Sequence, residues 1–306
     1  FKFGAIFTLA IVVFYTFFGG FRAVCITDAF QGMLMFLVLV AVPVVAFCNL
    51  NLPDGATLWS EVAKYGKNHL NVFYDQTFLS ILGLMAWGLG YFGQPHIIVR
   101  FMAIRSSKEL AQARRIGIGW MAIGLAGAMM SGLIGFVYYS ELNLPLADPE
   151  KVFLQLGETL FHPFFVGIII SAVLSAIMST ISSQLLVSAS SVTQDFVFAF
   201  YKKEISQKTQ VAAGRYAVVA VALVATALAF SFNESVLNVV GYAWAGFGAS
   251  FGPVLLFSLY WRKMSALAAL LGMITGGATV IAWIALGLNS YVDEILPGFA
   301  VSCIVI

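Results

Sequence analysis

The chain has 306 residues, of which 61% are hydrophobic and only 10% are charged, and its formal net charge is +2 at pH 7. A water-soluble domain carries more charge than this on its surface, so the composition excludes an ordinary soluble protein. The apolar runs are long and do not alternate with polar residues, which excludes a membrane β-barrel. The sequence therefore predicts an all-α, polytopic membrane protein, because about 20 apolar residues cross a bilayer as one helix.

Nine apolar segments follow one another along the chain. They lie at residues 3–18, 27–49, 77–100, 114–139, 163–194, 211–230, 235–260, 265–288 and from 295 onward. Twelve of the sixteen Lys and Arg residues fall in alternate connections, namely 100–115, 195–215, 262–263 and the one that holds Arg22. Because such residues accumulate in cytoplasmic loops, we expect these connections to be cytoplasmic and the protein to lie in the plasma membrane.

The remaining connections are expected outside the cell. Residues 50–76 are polar and are interpreted as an external loop. Further on, Phe153, Leu156 and Leu160 recur at helical spacing and predict a short amphipathic helix, either a plain surface helix or an external lid. Both ends of the chain are apolar and no initiator Met is present, so we expect a fragment of a longer protein.

Segment 77–100 has a composition that does not suit a continuous helix. The residues that disfavour a helix there are Gly83, Gly88, Gly90, Gly93 and Pro95. Each glycine costs about 1 kcal/mol in a helix interior and proline costs about 3 kcal/mol.

This composition has two interpretations. One is a discontinuous helix that offers free backbone groups, including the carbonyl near Tyr91, to a polar solute. The other is a proline-kinked helix that packs closely through its glycines. Trp87 and Tyr91 would share one face, with polar Gln94 and His96 following.

Segment 163–194 is rich in hydroxyl groups and has no charged residue. Helical spacing places Ala172, Ala176, Ser179, Thr180 and Ser183 on one face. Such a face can pack closely against another helix and exchange hydrogen bonds with it. Alternatively, adjacent hydroxyls and a backbone carbonyl one turn earlier can form part of an oxygen cage for a hard cation. The residues alone leave both possibilities open.

No pattern typical of an enzyme or of nucleic-acid binding occurs. The acidic residues lie nearly all in loops, and neither an HExxH motif nor a phosphate-binding glycine motif is present. The cysteines Cys25, Cys48 and Cys303 are scattered without metal-ligand or disulfide spacing. We therefore expect neither catalytic activity nor a nucleic-acid partner.

The two polar segments and their surroundings resemble the sodium:solute symporter family. The matching stretches are residues 86–97, 100–103, 113–116, 178–186, 190–195 and 242–253. The family has the LeuT-type fold, an inverted repeat of five plus five helices. The resemblance implies one transmembrane domain, 1–306, truncated at both ends. Residues 1–49 would hold the last two helices of the first repeat, residues 77–260 the second repeat, and residues 265–306 peripheral helices.

The resemblance also implies a function, which is sodium-coupled secondary active uptake and most closely that of family members that carry L-proline. The residues it implies are Ala176 (through its carbonyl), Ser179 and Thr180 for sodium, and Trp87, Tyr91 and Pro95 for the substrate. The implied partners are the co-transported sodium ion, L-proline and membrane lipid. The first helix of the first repeat, which would complete the site in the family, has no counterpart in this sequence.

Several alternatives stay open. Asp28 is either a helix N-cap, with Gln31 completing a capping box, or the gating or ion-path residue that the resemblance suggests. The glycine-aromatic run 241–252 either packs closely or serves as a gate. The solute could also be another amino acid or a carboxylate, and the chain could be a transporter-like sensor module of a signalling protein. A channel is disfavoured because no selectivity motif is visible.

Overall fold

The computed structural model describes residues 2–71, 73–142, 148–200, 205–230 and 236–306, and within these ranges the regular structure is helical, without strands. The α-helices, in chain order, are α1 (Lys2–Cys48), α2 (Leu58–Lys64), α3 (Phe78–Gly90), α4 (Pro95–Met102), α5 (Leu110–Glu141), α6 (Val152–Leu160), α7 (Pro163–Ser190), α8 (Gln207–Ala229), α9 (Val236–Tyr260), α10 (Ala266–Ala285) and α11 (Ile295–Val305). They form two compact units. The first unit comprises residues 1–72 and 106–229, and the second comprises residues 73–105 and 230–306.

Six of the described helices are long and apolar enough to cross a membrane, namely α1, α5, α7, α8, α9 and α10. Two shorter apolar helices lie at Phe78–Gly93 and Ile295–Val305. The nine predicted apolar segments thus all appear as helices, with α1 supplying the first two. The connection between the predicted segments 211–230 and 235–260 lies outside the described residues. Which side of the membrane each loop faces stays a prediction.

Helix α1 is divided by a kink at Gly20. Its 47 residues would extend about 70 Å as a straight helix, more than twice the hydrocarbon core of a bilayer. Gly20 has φ 55° and ψ −152°, a conformation that side chains disfavour. The kink separates a first arm from a second arm, as the segments 3–18 and 27–49 predict. Arg22 and Asp28 nevertheless lie within the helix instead of in a loop, because nothing after Gly20 interrupts it.

The core of the first unit joins α1, α2, α5, α6 and α7. Its fully or almost fully buried residues include Val42, Val62, Ile134, Leu156 and Ile169. The amphipathic helix predicted around Leu156 is confirmed as α6. The interpretation of 50–76 as a plain polar loop is wrong in part, because α2 forms there behind a capping box at Thr57 and buries Leu58 and Val62. That helix is too short to give a clear apolar pattern.

Small residues let the helices of the second unit approach one another closely. Its core consists of Ala86 of α3, Ala245 and Ala249 of α9, Val280 of α10 and Ile295 of α11. A Cβ atom added to the α10 residue Gly276 would overlap with the backbone carbonyl of Ala249. Such contacts between small residues are how helices pack where lipid removes the hydrophobic driving force.

A matched pair of glycines in α5 tests the packing of the first unit. A Cβ on Gly127 would overlap with the backbone carbonyl of Leu39 in α1, whereas a Cβ on Gly132 would have no neighbour within 4 Å. We expect Gly127→Ala to lower the free energy of unfolding by about 1–3 kcal/mol. Gly132→Ala should leave it unchanged or slightly higher. Thermal unfolding of the full-length protein in detergent measures both, and equal melting temperatures would contradict the packing described for α1 and α5.

Candidate functional site

The second unit contains a complete break in an apolar helix. Helix α3 ends at Gly90, a 3₁₀ turn spans Tyr91–Gly93, and Gln94 is extended with φ −85° and ψ 108° before α4 begins at Pro95. Proline disfavours a helical conformation in the residue before it and has no N–H of its own. The predicted discontinuity is therefore confirmed, and the interpretation as one kinked but continuous helix is wrong.

The backbone group released by the break is not the one expected. The Tyr91 carbonyl accepts a long hydrogen bond of 3.4 Å from the N–H of Gln94. The N–H of Tyr91 bonds to the carbonyl of Leu89, so the Trp87 carbonyl loses its usual helical donor. The indole N–H of Trp244, on α9, donates to that carbonyl at 2.8 Å. The freed group is thus one turn before Tyr91 and is already satisfied within the protein.

Trp244 contacts both aromatic residues that the sequence singles out. Its ring stacks on Trp87 with centroids 5.5 Å apart and an interplanar angle of 13°. It meets Tyr91 edge-on, with centroids 4.7 Å apart at 86°. A Cβ on Gly90 would overlap with the Trp244 indole. Gly90 therefore makes room for the ring, and the three aromatic side chains form a single group, called the aromatic cluster below.

The remaining polar and glycine residues of the break face α9 as well. Gln94 is only 4% exposed, and its amide nitrogen lies 3.4 Å from the Trp244 carbonyl, to which it donates. A Cβ on Gly93 would overlap with the backbone of Phe247, while one on Gly88 would meet nothing within 4 Å. The glycines thus serve close packing at Gly90 and Gly93, as one of the two interpretations proposed. The run 241–252 packs closely against the break in the same way.

The rings of Trp87 and Tyr91 remain accessible. Their exposed fractions are 38% and 43%, and Pro95 is partly buried. His96 is partly buried beside it. The break therefore has a packed side, which α9 covers, and an open side, which presents the aromatic faces. An open aromatic surface next to irregular backbone is suited to a small amphipathic solute.

The first unit holds the hydroxyl groups of α7. The Ala176 carbonyl accepts hydrogen bonds from the Ser179 hydroxyl at 3.1 Å and from the Thr180 hydroxyl at 3.0 Å. Ligands that share one hard cation at roughly 2.3–2.6 Å from it lie about 3–3.6 Å apart. Each hydroxyl oxygen is thus already spaced from the Ala176 carbonyl oxygen like a neighbouring ligand. Thr180 is exposed and Ser179 is partly buried.

Asp28 lies beside the same stretch of α7. Its two carboxylate oxygens accept hydrogen bonds from the Ser182 hydroxyl at 3.4 Å and the Ser183 hydroxyl at 3.3 Å. Both serine hydroxyls also lie within 3.0 Å of the Ser179 carbonyl. The N-cap interpretation is wrong, because a cap stands at a helix start and Asp28 lies well inside the second arm of α1. Its carboxylate instead joins a buried polar group on α7.

The structure therefore assigns the predicted residues to two groups. Trp87, Tyr91 and Pro95 lie together in the second unit, and Ala176, Ser179, Thr180 and Asp28 lie together in the first. The residue pattern placed Ser183 on the hydroxyl face of α7 but pointed neither to Trp244 nor to Ser182. A signal was present for Trp244, since the stretch 242–253 matches the family, but its partner is 157 residues away in the chain.

Comparisons with known proteins support this description. A model of the sodium:solute symporter family matches residues 1–276. The high-affinity proline transporter PutP of Bacillus subtilis is 50% identical over 292 residues, which are 95% of this chain and 61% of that protein. The sodium/proline symporter of Staphylococcus aureus is 49% identical over 315 residues, covering 100% of this chain and 61% of that protein. The osmoregulated proline transporter OpuE of Bacillus subtilis is 47% identical over 306 residues, which are 99% of this chain and 62% of that protein.

A solved structure gives the fold. The solved structure is a Na⁺-coupled sialic acid symporter in a substrate-bound outward-open state. The match covers 97% of this chain and 63% of the symporter chain, with a TM-score of 0.74 and 18% sequence identity. The membrane-length helices and this likeness confirm the predicted all-α, LeuT-type membrane fold. The chain spans about three fifths of the length of the curated relatives it matches. On the family match and these identities, the chain belongs to the sodium:solute symporter family.

Proposed function

We propose that this chain is part of a sodium-coupled secondary active symporter that carries L-proline into the cell across the plasma membrane. The observation that carries the proposal is the complete break between α3 and α4, which has one packed side and one open aromatic side. Relatives about half identical over nearly the whole chain are named as proline transporters. The family and these relatives are transporters, which favours transport over catalysis.

The solute would lie against the open side of the break. The rings of Trp87 and Tyr91 would cover the apolar pyrrolidine ring of proline, and an aromatic face also attracts its secondary ammonium group. Pro95 would limit the pocket at the start of α4. That helix begins without a side-chain cap, and half-helix N-termini are the usual partners of anionic substrate groups in such transporters. The substrate carboxylate would therefore point toward the α4 N-terminus.

Sodium would bind at the Ala176 carbonyl and the hydroxyls of Ser179 and Thr180. In the absence of the ion both hydroxyl protons are directed at the carbonyl, so binding requires only that these side chains turn their oxygens toward the cation. Inward movement of each sodium ion gains about 2.3 kcal/mol per 100 mV of membrane potential besides its concentration gradient. By linkage, bound sodium and bound solute must strengthen each other's binding equally.

Asp28 would act on the path of the ion. Its carboxylate is hydrogen-bonded to Ser182 and Ser183, whose hydroxyls also reach the Ser179 carbonyl. A negative charge that is linked through these serines to the Ser179 carbonyl would lower the energy of a cation that enters or leaves the site. The role is that of a gate or relay, distinct from direct ligation by the Ala176 group.

The architecture proposed for the chain follows the family. Residues 77–260 would form the second inverted repeat, residues 1–49 the last two helices of the first repeat, and residues 265–306 peripheral helices. The basic connections 100–115, 195–215 and 262–263 would be cytoplasmic.

Removing both hydroxyls of the sodium group tests the ion site. We expect the Ser179→Ala/Thr180→Ala double variant of the full-length protein to need at least tenfold more sodium for half-maximal proline uptake, since two of its ligands are lost. Ser171→Ala is the matched control, because Ser171 bonds to the Gly167 carbonyl of the same helix at 2.7 Å. Uptake of labelled proline in proteoliposomes over a sodium titration measures the effect. An unchanged sodium dependence in the double variant would refute the assignment.

Asp28→Asn belongs in the same titration. The substitution keeps the size of the side chain and removes the charge, and the new amide nitrogen can donate to a serine hydroxyl. A role on the ion path therefore predicts that half-maximal uptake requires a higher sodium concentration. A purely structural role predicts lower protein stability and an unchanged half-maximal sodium concentration.

A competition experiment tests the solute. Unlabelled L-proline should suppress labelled proline uptake at a lower concentration than other amino acids or carboxylates, because only proline combines a pyrrolidine ring with the charged groups that the break would bind. Stronger suppression by another solute would assign the transporter to that solute. Binding of proline without sodium-driven accumulation in vesicles would instead favour a sensor module.

Replacing one tryptophan tests the aromatic cluster. Trp244→Phe keeps a ring beside Trp87 but removes the N–H that satisfies its carbonyl, and a hydrogen bond of this kind contributes about 0.5–1.5 kcal/mol. We expect the KM for proline to rise about two- to tenfold. Trp261→Phe is the control, since Trp261 follows α9 and contacts Phe257 instead of the break. A KM that stays at the wild-type value in Trp244→Phe would show that the indole does not position the solute site.

A further inference from the structure

A cavity lies in the first unit, and none of the residues proposed for sodium or solute lines it. Its volume is about 330 Å³, at the small end of the range typical of ligand sites. It is formed where the first arm of α1 ends, where α7 passes into a π-helical turn at Ser191–Val197, and where α8 begins. The lining residues that matter for the argument are Thr16, Phe17, Gly20, Ser190, Gln210 and Arg215.

Among the residues that the structure describes, the cavity is lined by one positive charge and no negative one. The positive charge belongs to Arg215, whose guanidinium carbon lies 5.5 Å from the centroid of the Phe17 ring. Stacking of this kind occupies one face of the guanidinium and leaves its N–H groups, which lie in the plane, free for an acceptor. The planar fork of N–H groups matches the oxygens of a phosphate.

An unpartnered hydroxyl points to the same kind of ligand. Thr16 is 2% exposed, and its hydroxyl oxygen has no hydrogen-bond partner among the described residues. A buried polar group left without a partner costs about 1–3 kcal/mol, so such groups are rare unless something else satisfies them. Ser190 is an exposed residue that lines the same cavity. An acceptor bound beside Arg215 would be within reach of the Ser190 hydroxyl directly, and of the buried Thr16 hydroxyl once that side chain rotates toward the cavity.

We propose that this cavity binds a phosphate group, from an anionic phospholipid headgroup or as a free anion. It lies at the kink of α1 and near the start of α8, and basic pockets between membrane helices bind anionic headgroups. Two further exposed basic residues, Arg22 and Lys208, stand two residues along the chain from the lining residues Gly20 and Gln210. The site is separate from the transported solute and would link α1, α7 and α8 to the surrounding membrane.

The test uses the full-length protein, delipidated in detergent. Native mass spectrometry and melting temperature report binding of phosphatidylglycerol, of phosphatidylcholine, whose headgroup has no net charge, and of inorganic phosphate. Arg215→Gln and Thr16→Val should each weaken phosphatidylglycerol binding about tenfold, as expected for the loss of hydrogen bonds to a charged group. Arg114→Gln is the control, because Arg114 is an exposed arginine of α5 that does not line the cavity.

The outcomes separate the sources of the phosphate. Stabilisation by phosphatidylglycerol alone assigns the site to a lipid headgroup, and stabilisation by inorganic phosphate as well assigns it to the free anion. Without ligand, Thr16→Val should melt at or above the wild-type temperature, because it removes an unpartnered hydroxyl; this keeps the test decisive if Arg215→Gln folds poorly. Equal phosphatidylglycerol binding by all variants, or no binding of either phosphate source to the wild type, would overturn the proposal.

Discussion

The need to satisfy every backbone polar group in lipid governs this structure. A helix that stops at Gly90 and restarts at Pro95 leaves carbonyl groups that water would normally take, and in a membrane the protein must supply the donors. Helix α9 does so with the Trp244 indole, and the side chain of Gln94 ties the break back to α9. Close approach is possible because Gly90 and Gly93 have no side chains. Helix α9 therefore satisfies the backbone on one side of the break, and the rings of Trp87 and Tyr91 remain accessible on the other.

The same constraint explains the hydroxyls of α7. Several of them donate to a carbonyl three or four residues earlier, namely those of Ser171, Ser179, Thr180, Ser182 and Ser183. An apolar environment therefore tolerates these hydroxyls. Such bonds are weak enough to exchange for a cation. On the proposed function, α7 would carry an ion site whose ligands already bond within the helix, and the carboxylate of Asp28, which bonds to serines one turn further on, would add the charge that neutral oxygens lack.

Where the constraint is left unmet, the structure indicates a ligand. Among the described residues, the Thr16 hydroxyl is one of three buried side-chain atoms without a hydrogen-bond partner, together with the Gln31 amide oxygen and the Ser302 hydroxyl. It shares a cavity with an arginine that has no acid beside it among the described residues. The aromatic break and the hydroxyl face, in contrast, have polar groups that bond within the protein, which would suit the loading and unloading of the proposed transport cycle.

The sequence alone determined where the apolar helices lie, that the residues before Pro95 disfavour a continuous helix, and which face of α6 is apolar, because these follow from properties of neighbouring residues. Whether that segment breaks or only kinks was decided by the structure. It also carried the family motifs. Only the tertiary structure decided that Trp244 covers the break, that Asp28 bonds to α7 instead of capping a helix, and that Leu58 and Val62 of a polar stretch enter the core. Each of these contacts joins residues far apart in the chain, so it depends on how helices pack and has no local pattern from which it could be predicted.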